Sequence, residues 1–213
     1  MPIVLFEGPD GSGKTTFAKA LTETLSFLKP EYRRSPVKEF GWAPNYQTYL
    51  ADSAAISDHP PHLIVQDRTP EISESIYGVG FDRKPRGRGY LYETFRWLQQ
   101  DIFMVFCRND EHYLMGQHED VEGNPLRDRD LQLIQLMYDH TYFQLRSAML
   151  FGQPHTFRVM EHSRFNTRDW LHVMWAINRW LQLIYPDRAN EIHKSLAFSV
   201  DSKFPFPQEE TID

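Results

Sequence analysis

The sequence predicts an α/β fold: a parallel sheet of about five strands with helices on both faces. Three observations carry that reading. Short apolar runs of strand length recur at 3–7, 63–65 and 102–106. Stretches with apolar residues at helical spacing separate them, as crossovers between parallel strands require. A glycine-rich segment at 8–13 joins the first run to the first helical stretch. Composition agrees. Of 213 residues, 41% are hydrophobic and 14% aromatic, enough for a sizeable core and too apolar for global disorder.

Taken in order, Ile3-Val4-Leu5-Phe6-Glu7 reads as a buried strand that stops at glycine. Over 14–28, Phe17, Leu21, Leu25 and Leu28 keep helical spacing, and Pro30 is expected to stop that helix. Residues 31–44 are broken by Pro36, Gly41 and Pro44, with a short strand near 32–37, and a helix is expected over 45–57. After His59-Pro60-Pro61, Leu63-Ile64-Val65 forms a second buried strand ending at Gln66-Asp67-Arg68. A helix starts at Pro70, where proline suits the first turn, and runs to Tyr77. A loop at 78–89 and a helix at 90–100 precede the third strand, 102–106. A short helix at 110–117 and a polar loop at 118–129 lead to a long helix with Leu131, Ile134, Tyr138, Tyr142 and Leu145 on one face. A last strand is expected over 156–160. The helix over 167–185 carries Trp170, Met174, Ile177, Leu181 and Ile184 on one stripe, and Pro186 ends it. The tail from 190 is weakly patterned, and Phe204-Pro205-Phe206-Pro207 suggests an extended segment. The expected organisation is one domain over 1–188, with insertions at 78–89 and 118–130, and a C-terminal tail over 189–213.

The charge balance, 23 basic against 29 acidic residues, gives −6. A protein that coats nucleic acid is normally basic, so any such role must rest on a local patch. One cysteine, Cys107, excludes an internal disulfide and points to a reducing compartment. No apolar run approaches the roughly 18 residues of a membrane span. The first residues lack the basic and long apolar regions of a secretory leader. A soluble, cytoplasmic chain without membrane contact is expected.

Gly8-Pro9-Asp10-Gly11-Ser12-Gly13-Lys14-Thr15 fits the phosphate-loop pattern G-x-x-x-x-G-K-[ST] at every fixed position, between a strand and a helix. Glycines let such a loop curl so that backbone N–H groups converge on phosphate oxygens, and the following helix start adds its positive dipole end. Lys14 would neutralise the outer phosphates of ATP, Thr15 would hold Mg²⁺, and Thr16 completes the binding segment. A switch GTPase would carry an Asn-Lys-x-Asp base-reading motif, which is absent. A motor ATPase would run its apolar strand into an acidic end, where this chain has Gln66-Asp67-Arg68. Asp67 beside Arg68 sets a metal-orienting or base carboxylate next to a phosphate-binding guanidinium, which suits a phosphate-bearing acceptor.

Phe6-Glu7-Gly8-Pro9-Asp10-Gly11-Ser12-Gly13-Lys14-Thr15-Thr16 resembles the opening of thymidylate kinases, and Asp67-Arg68 followed by Ile72-Ser73-Glu74-Ser75-Ile76-Tyr77-Gly78 resembles their substrate-site signature. The Ser-Glu-x-x-Tyr-Gly stretch, the basic loop and a strand ending Cys107-Arg108 are most similar to the tailed-bacteriophage members. The resemblance covers roughly residues 2–160 and implies a P-loop kinase fold, with ATP and Mg²⁺ as cofactors and a pyrimidine deoxynucleotide as acceptor. It further implies that Asp10 approaches the acceptor's 3′-hydroxyl, that Asp67 orients the metal and the acceptor phosphate, and that Arg68 holds that phosphate. Ser73 and Tyr77 would line the acceptor pocket. Arg127 or Arg129 would close over the transferring phosphoryl group. The chain departs from the family at Thr69, where an aromatic residue is usual, and in the acidic composition of 118–130.

Arg83, Lys84, Arg86 and Arg88 lie within six residues of one another. They form a solvated loop, or close on acceptor or ATP phosphates through Arg86 and Arg88, or contact a DNA backbone. The last option matters because some phage relatives phosphorylate the hydroxymethyl group of 5-hydroxymethyluracil within DNA, a reaction that needs the base out of its stack. The negative charge and Asp10 favour a mononucleotide. A third reading is a nucleotide-binding regulator without transfer chemistry. Among weaker signals, Cys107 reads as a packed thiol, and His59 with His62 offers too few ligands for a metal. Phe40, Trp42, Tyr46 and Tyr49 are either core or a base-stacking surface. The Trp170, Trp175 and Trp180 helix has an apolar face wide enough for a subunit contact, and relatives often dimerise through helices, so a homodimer is a family expectation.

Overall fold

The computed structural model describes residues 2–34, 63–69, 72–73, 76–77, 101–109, 118–119, 125–126, 128–149, 157–163 and 167–202. A five-stranded sheet runs in the order β2-β3-β1-β4-β7, with every neighbouring pair parallel. Its strands are β1 (Ile3–Glu7), β2 (Pro30–Arg34), β3 (Leu63–Asp67), β4 (Ile102–Arg108) and β7 (Phe157–Ser163). Strands β5 (His118–Glu119) and β6 (Pro125–Leu126) form a separate antiparallel pair. The helices are α1 (Lys14–Thr24), α2 (Asp128–Met149), α3 (Thr167–Ile184) and α4 (Ala189–Ser202).

Both sheet faces are covered, and the two-residue period of the strands sorts the core. Val4 and Phe6 of β1, with Phe103, Val105 and Cys107 of β4, pack toward α1, α3 and α4. Leu5 of β1, with Ile102, Met104 and Phe106 of β4, packs toward Ile72, Ile76 and the Ile134, Tyr138, Tyr142 and Leu145 stripe of α2. Phe17 of α1 stacks on Trp170 of α3 with ring centroids 4.0 Å apart.

Several elements differ from expectation for physical reasons. The helix expected over 14–28 ends at Thr24 and tightens into a 3₁₀ turn, Ser26–Leu28, closed by Lys29 in a left-handed conformation (φ 50°). The tighter turn brings Leu25 and Leu28 together into the core. Pro30, expected as a helix stop, opens β2 instead. As the first residue of an edge strand it gives up no needed ladder bond. β4 and β7 outrun their expected ends, pairing as far as Arg108 and Ser163. The expected loop over 118–129 contains β5, β6 and the start of α2, so Arg129 sits in a helix. Asp128 and Asp130 suit that helix's first turn. The weakly patterned tail forms α4 after a 3₁₀ turn at Pro186–Arg188, and Ile192 is fully buried against α3.

Ile72, Ser73, Ile76 and Tyr77 are helical, as expected. Within α3, Trp170 and Trp180 are core, while Trp175 is 62% exposed under the Arg179 guanidinium. The helices expected over 45–57, 90–100 and 110–117, the aromatic group Phe40, Trp42, Tyr46 and Tyr49, and His59 and His62 lie outside the described residues. Among the described residues, no helix is long and apolar enough to cross a membrane.

Candidate active site

The parallel order places the carboxyl ends of β3, β1 and β4 side by side, with the segment after β1 between its neighbours. Ligands of such sheets bind there. Gly8, Gly11 and Gly13 all have positive φ (149°, 78° and 80°). Gly8 also presses on β4, where a Cβ would overlap the Cys107 carbonyl. Inside the curl, the Pro9 carbonyl accepts from Ser12 Oγ at 2.8 Å and from Lys14 Nζ at 2.9 Å. Gly13 caps α1, and Thr16 is exposed on its first turn. Burial, followed by the charge of Arg68, pulls Lys14 down to about 8. An arriving polyphosphate would raise it again and hold the ammonium charged.

Thr15 Oγ1 donates to Asp67 Oδ2 at 2.6 Å, and the Tyr32 hydroxyl donates to the same oxygen at 3.2 Å. Asp67 is buried, and its Oδ1 has no hydrogen-bond partner among the described residues. A hydroxyl and a carboxylate oxygen left without a donor form the hard, anionic oxygen set that Mg²⁺ takes, so these residues fit the metal. Burial and Asp67 push the Tyr32 hydroxyl up to about 12, so it stays a donor.

On the other side of the loop, Arg68 Nη2 donates to Asp10 Oδ1 at 2.5 Å, to the Tyr77 hydroxyl at 3.0 Å and to the Gly8 carbonyl at 3.4 Å. Its guanidinium lies 5.1 Å from the Tyr77 ring centre. The Tyr77 hydroxyl accepts from the Asp10 N–H at 3.0 Å and donates to Asp10 Oδ2 at 3.2 Å. Burial acts to raise Asp10, but Arg68 and Lys14 outweigh it and hold the carboxyl below its ordinary value. Asp10 keeps 47% of its side chain exposed. The two groups expected to meet an acceptor therefore meet each other, at a solvent-facing spot.

Beneath this pair, Glu7 is fully buried. It accepts from the Thr69 N–H at 2.5 Å, the Thr69 hydroxyl at 3.0 Å and Ser73 Oγ at 3.0 Å. Ser73 is also buried and shares a 3.0 Å bond with the Tyr138 hydroxyl of α2. Burial raises Glu7 to about 7, against the opposing pull of those donors and Arg68. Arg68 itself has φ 66°, a left-handed backbone that costs an arginine roughly 1–2 kcal/mol.

A second chain of bonds ties the loop to α2. Asn109 Nδ2 donates to the Asp10 carbonyl at 2.8 Å, and the Asn109 N–H donates to Gln135 Oε1 at 3.2 Å. Gln135 Nε2 donates to Asp139 at 2.8 Å, and Asp139 accepts from Arg108, which also donates to Glu161 of β7 at 2.6 Å. Arg129 stands six residues, about one and two-thirds turns, before Gln135 on the same helix. Arg127, Arg86 and Arg88 lie outside the described residues.

Glu7, Tyr32, Gln66 and Asn109 were not singled out from the sequence. The available signal was a polar residue at the carboxyl end of an otherwise apolar strand, present at Glu7 and Gln66. Tyr32 and Asn109 carry no local signal, because their roles arise from strand order.

A phosphate loop follows the central strand of a five-stranded parallel sheet and faces a neighbouring strand that ends at Asp67, with Arg68 next to it, which is the α/β P-loop fold expected from the sequence. The chain is also similar in part to curated proteins. The chain is 26% identical over 106 residues to cytidylate kinase from Chlamydia trachomatis serovar A, covering 42% of this chain and 49% of that protein. It is 27% identical over 111 residues to the Chlamydia muridarum cytidylate kinase, with the same coverage. The chain thus spans about half the length of the curated relatives it matches. Among solved structures, it is similar to the Bacillus subtilis YorR protein in complex with phosphorylated GDP (TM-score 0.55, 15% identity, 86% of this chain and 98% of that one). It also aligns with the Candida albicans thymidylate kinase (TM-score 0.48, 14% identity, 90% and 93%). No protein-family model matches the chain.

Proposed function

We propose that this chain is an ATP-dependent nucleotide kinase that transfers the γ-phosphoryl group to a pyrimidine nucleotide, with a deoxynucleotide such as thymidylate as the preferred acceptor. The observation that carries the reading is the junction of Thr15 with Asp67 beside Arg68: a phosphate loop on one side, an acceptor-type guanidinium on the other, and a half-satisfied carboxylate between them. The cytidylate kinase relatives support a pyrimidine acceptor.

In this reading backbone N–H groups within 8–16, where Pro9 has none, converge on the donor's phosphate tail. Lys14 leaves the Pro9 carbonyl for the outer phosphates. Thr15 and Asp67 hold Mg²⁺, which supplies charge neutralisation at the transferring group when bound. Arg68 shares itself between Asp10 and the acceptor phosphate, while Asp10 turns its exposed carboxylate to the acceptor's sugar hydroxyl. Tyr77 lines the pocket, and Ser73 acts from beneath through Glu7. Arg127 or Arg129 would supply the closing charge, and Arg86 and Arg88 are further candidates to meet the phosphates. Positioning and neutralisation are most of what phosphoryl transfer asks of a protein.

The test is ADP release from ATP with thymidylate, cytidylate, deoxycytidylate, uridylate and guanylate in turn, alongside transfer of label to duplex DNA containing 5-hydroxymethyluracil. Turnover on a pyrimidine monophosphate is expected. Label on the polymer alone would replace the acceptor assignment with DNA. ATP binding without ADP release on any acceptor would make the chain a nucleotide-binding regulator.

A further inference from the structure

Lys29 and Arg68 are the non-glycine residues with left-handed backbones among the described residues. Lys29 closes a turn. Arg68 sits at the end of a buried strand, at the mouth of the candidate site, and its backbone is held from three directions. Its N–H donates to the Phe6 carbonyl at 2.8 Å. Its carbonyl accepts from Gln66 Nε2 at 3.1 Å. The next N–H, of Thr69, donates to Glu7 Oε1 at 2.5 Å. Two of these three restraints come from buried polar side chains, Glu7 and Gln66, which carry a desolvation penalty that an apolar residue of the same size would avoid. Strained backbones persist only where the surroundings over-determine them.

The sign of φ decides where the side chain leaves the chain. At +66° the Arg68 guanidinium reaches across the loop to Asp10, Tyr77 and the Gly8 carbonyl. With φ relaxed to negative values, the Cα–Cβ bond would swing away from that rim. We propose that Glu7 and Gln66 are positioning residues whose hydrogen bonds lock Arg68 in its left-handed conformation and so aim its guanidinium at the acceptor phosphate. This rests on the reading of Arg68 as the acceptor-phosphate ligand. Glu7 and Gln66 act through the backbone at Arg68 and Thr69.

The experiment has a binding arm and a structural arm. Calorimetry measures thymidylate and Mg-ATP affinity for the wild type, Glu7→Leu, Glu7→Gln, Gln66→Leu, Arg68→Ala and the pairs with Arg68→Ala. Glu7→Leu and Gln66→Leu should each weaken thymidylate about tenfold, with Mg-ATP changed less than about twofold, and neither should add to the loss in Arg68→Ala. Glu7→Gln keeps an oxygen for the Thr69 N–H and should retain most of the thymidylate affinity. In parallel, crystal structures of Glu7→Leu and Gln66→Leu should show Arg68 with negative φ and its guanidinium off Asp10. Arg68 keeping its left-handed φ on Asp10 in both variants would overturn the inference, as would losses that add in full to those of Arg68→Ala. If the wild type fails to bind thymidylate, the acceptor reading fails, while the crystal structures still decide the positioning roles of Glu7 and Gln66.

Discussion

Glu7 brings an ionisable carboxyl into a fully buried place between the phosphate loop and Arg68. Its folded value of about 7 stands above the ordinary 4.5. A carboxyl raised in this way favours the folded state most fully below pH 4.5 and loses that contribution as pH rises through 7. Glu7→Gln cannot titrate. The stability of the wild type relative to Glu7→Gln should therefore fall by about 3 kcal/mol between pH 4.5 and pH 8, read from urea midpoints across that range. A flat difference would show that the buried donors from Thr69 and Ser73 keep Glu7 ionised throughout. Arg68→Ala separates the two sides of the loop. Loss of its charge-assisted bonds should raise the acceptor KM by one to two orders of magnitude, roughly 1.5–3 kcal/mol, and leave the ATP KM nearly unchanged. Equal acceptor kinetics in variant and wild type would remove Arg68 from the acceptor site.

At the scale of elements, the strands were the most legible part. β1 and β3 match the expected runs because buried parallel strands are short and uninterrupted. The phosphate loop was legible for a different reason: its glycines are forced by positive φ and by contact with the Cys107 carbonyl, leaving little sequence freedom. The α2 stripe from Leu131 to Leu145 is buried as its spacing requires. Less was visible where tertiary contact decides. Nothing near Ile192 marks a helix strongly, yet α4 forms because Ile192 fills a gap beside α3, where Asn178 Nδ2 donates to its carbonyl at 3.4 Å. The pairing of Asp10 with Arg68 spans 58 positions and depends on β1 and β3 being neighbours, which no local pattern encodes. Ile192→Ala tests how far α4 belongs to the core. It should lower unfolding stability by about 2–4 kcal/mol, seen by thermal or urea denaturation. A loss below about 0.5 kcal/mol would make α4 peripheral.

For the whole molecule, ligand binding and folding are linked, since only the folded sheet presents the phosphate loop. Mg-ATP at about a hundred times its Kd should add roughly 2.7 kcal/mol of stability and raise Tm by several degrees. Lys14→Ala should abolish that rise and phosphoryl transfer while leaving the unliganded Tm close to that of the wild type, because the Lys14 ammonium's hydrogen bond is to the loop's own Pro9 carbonyl. A ligand-induced rise that survives in Lys14→Ala would move the triphosphate away from the loop.

The single thiol of the chain lies on β4 directly behind that loop, fully buried, with burial pushing it up to about 12. Thiol oxidants and alkylating agents act on the thiolate, so the intact molecule offers them no thiolate to attack. Redox stress thus reaches Cys107 only after the helices packed on this face of the sheet, α1, α3 and α4, come away from it, and the chemistry at the rim stays insulated from it. The same shielding makes slow thiol modification a clock for how often that helical layer lifts from the sheet.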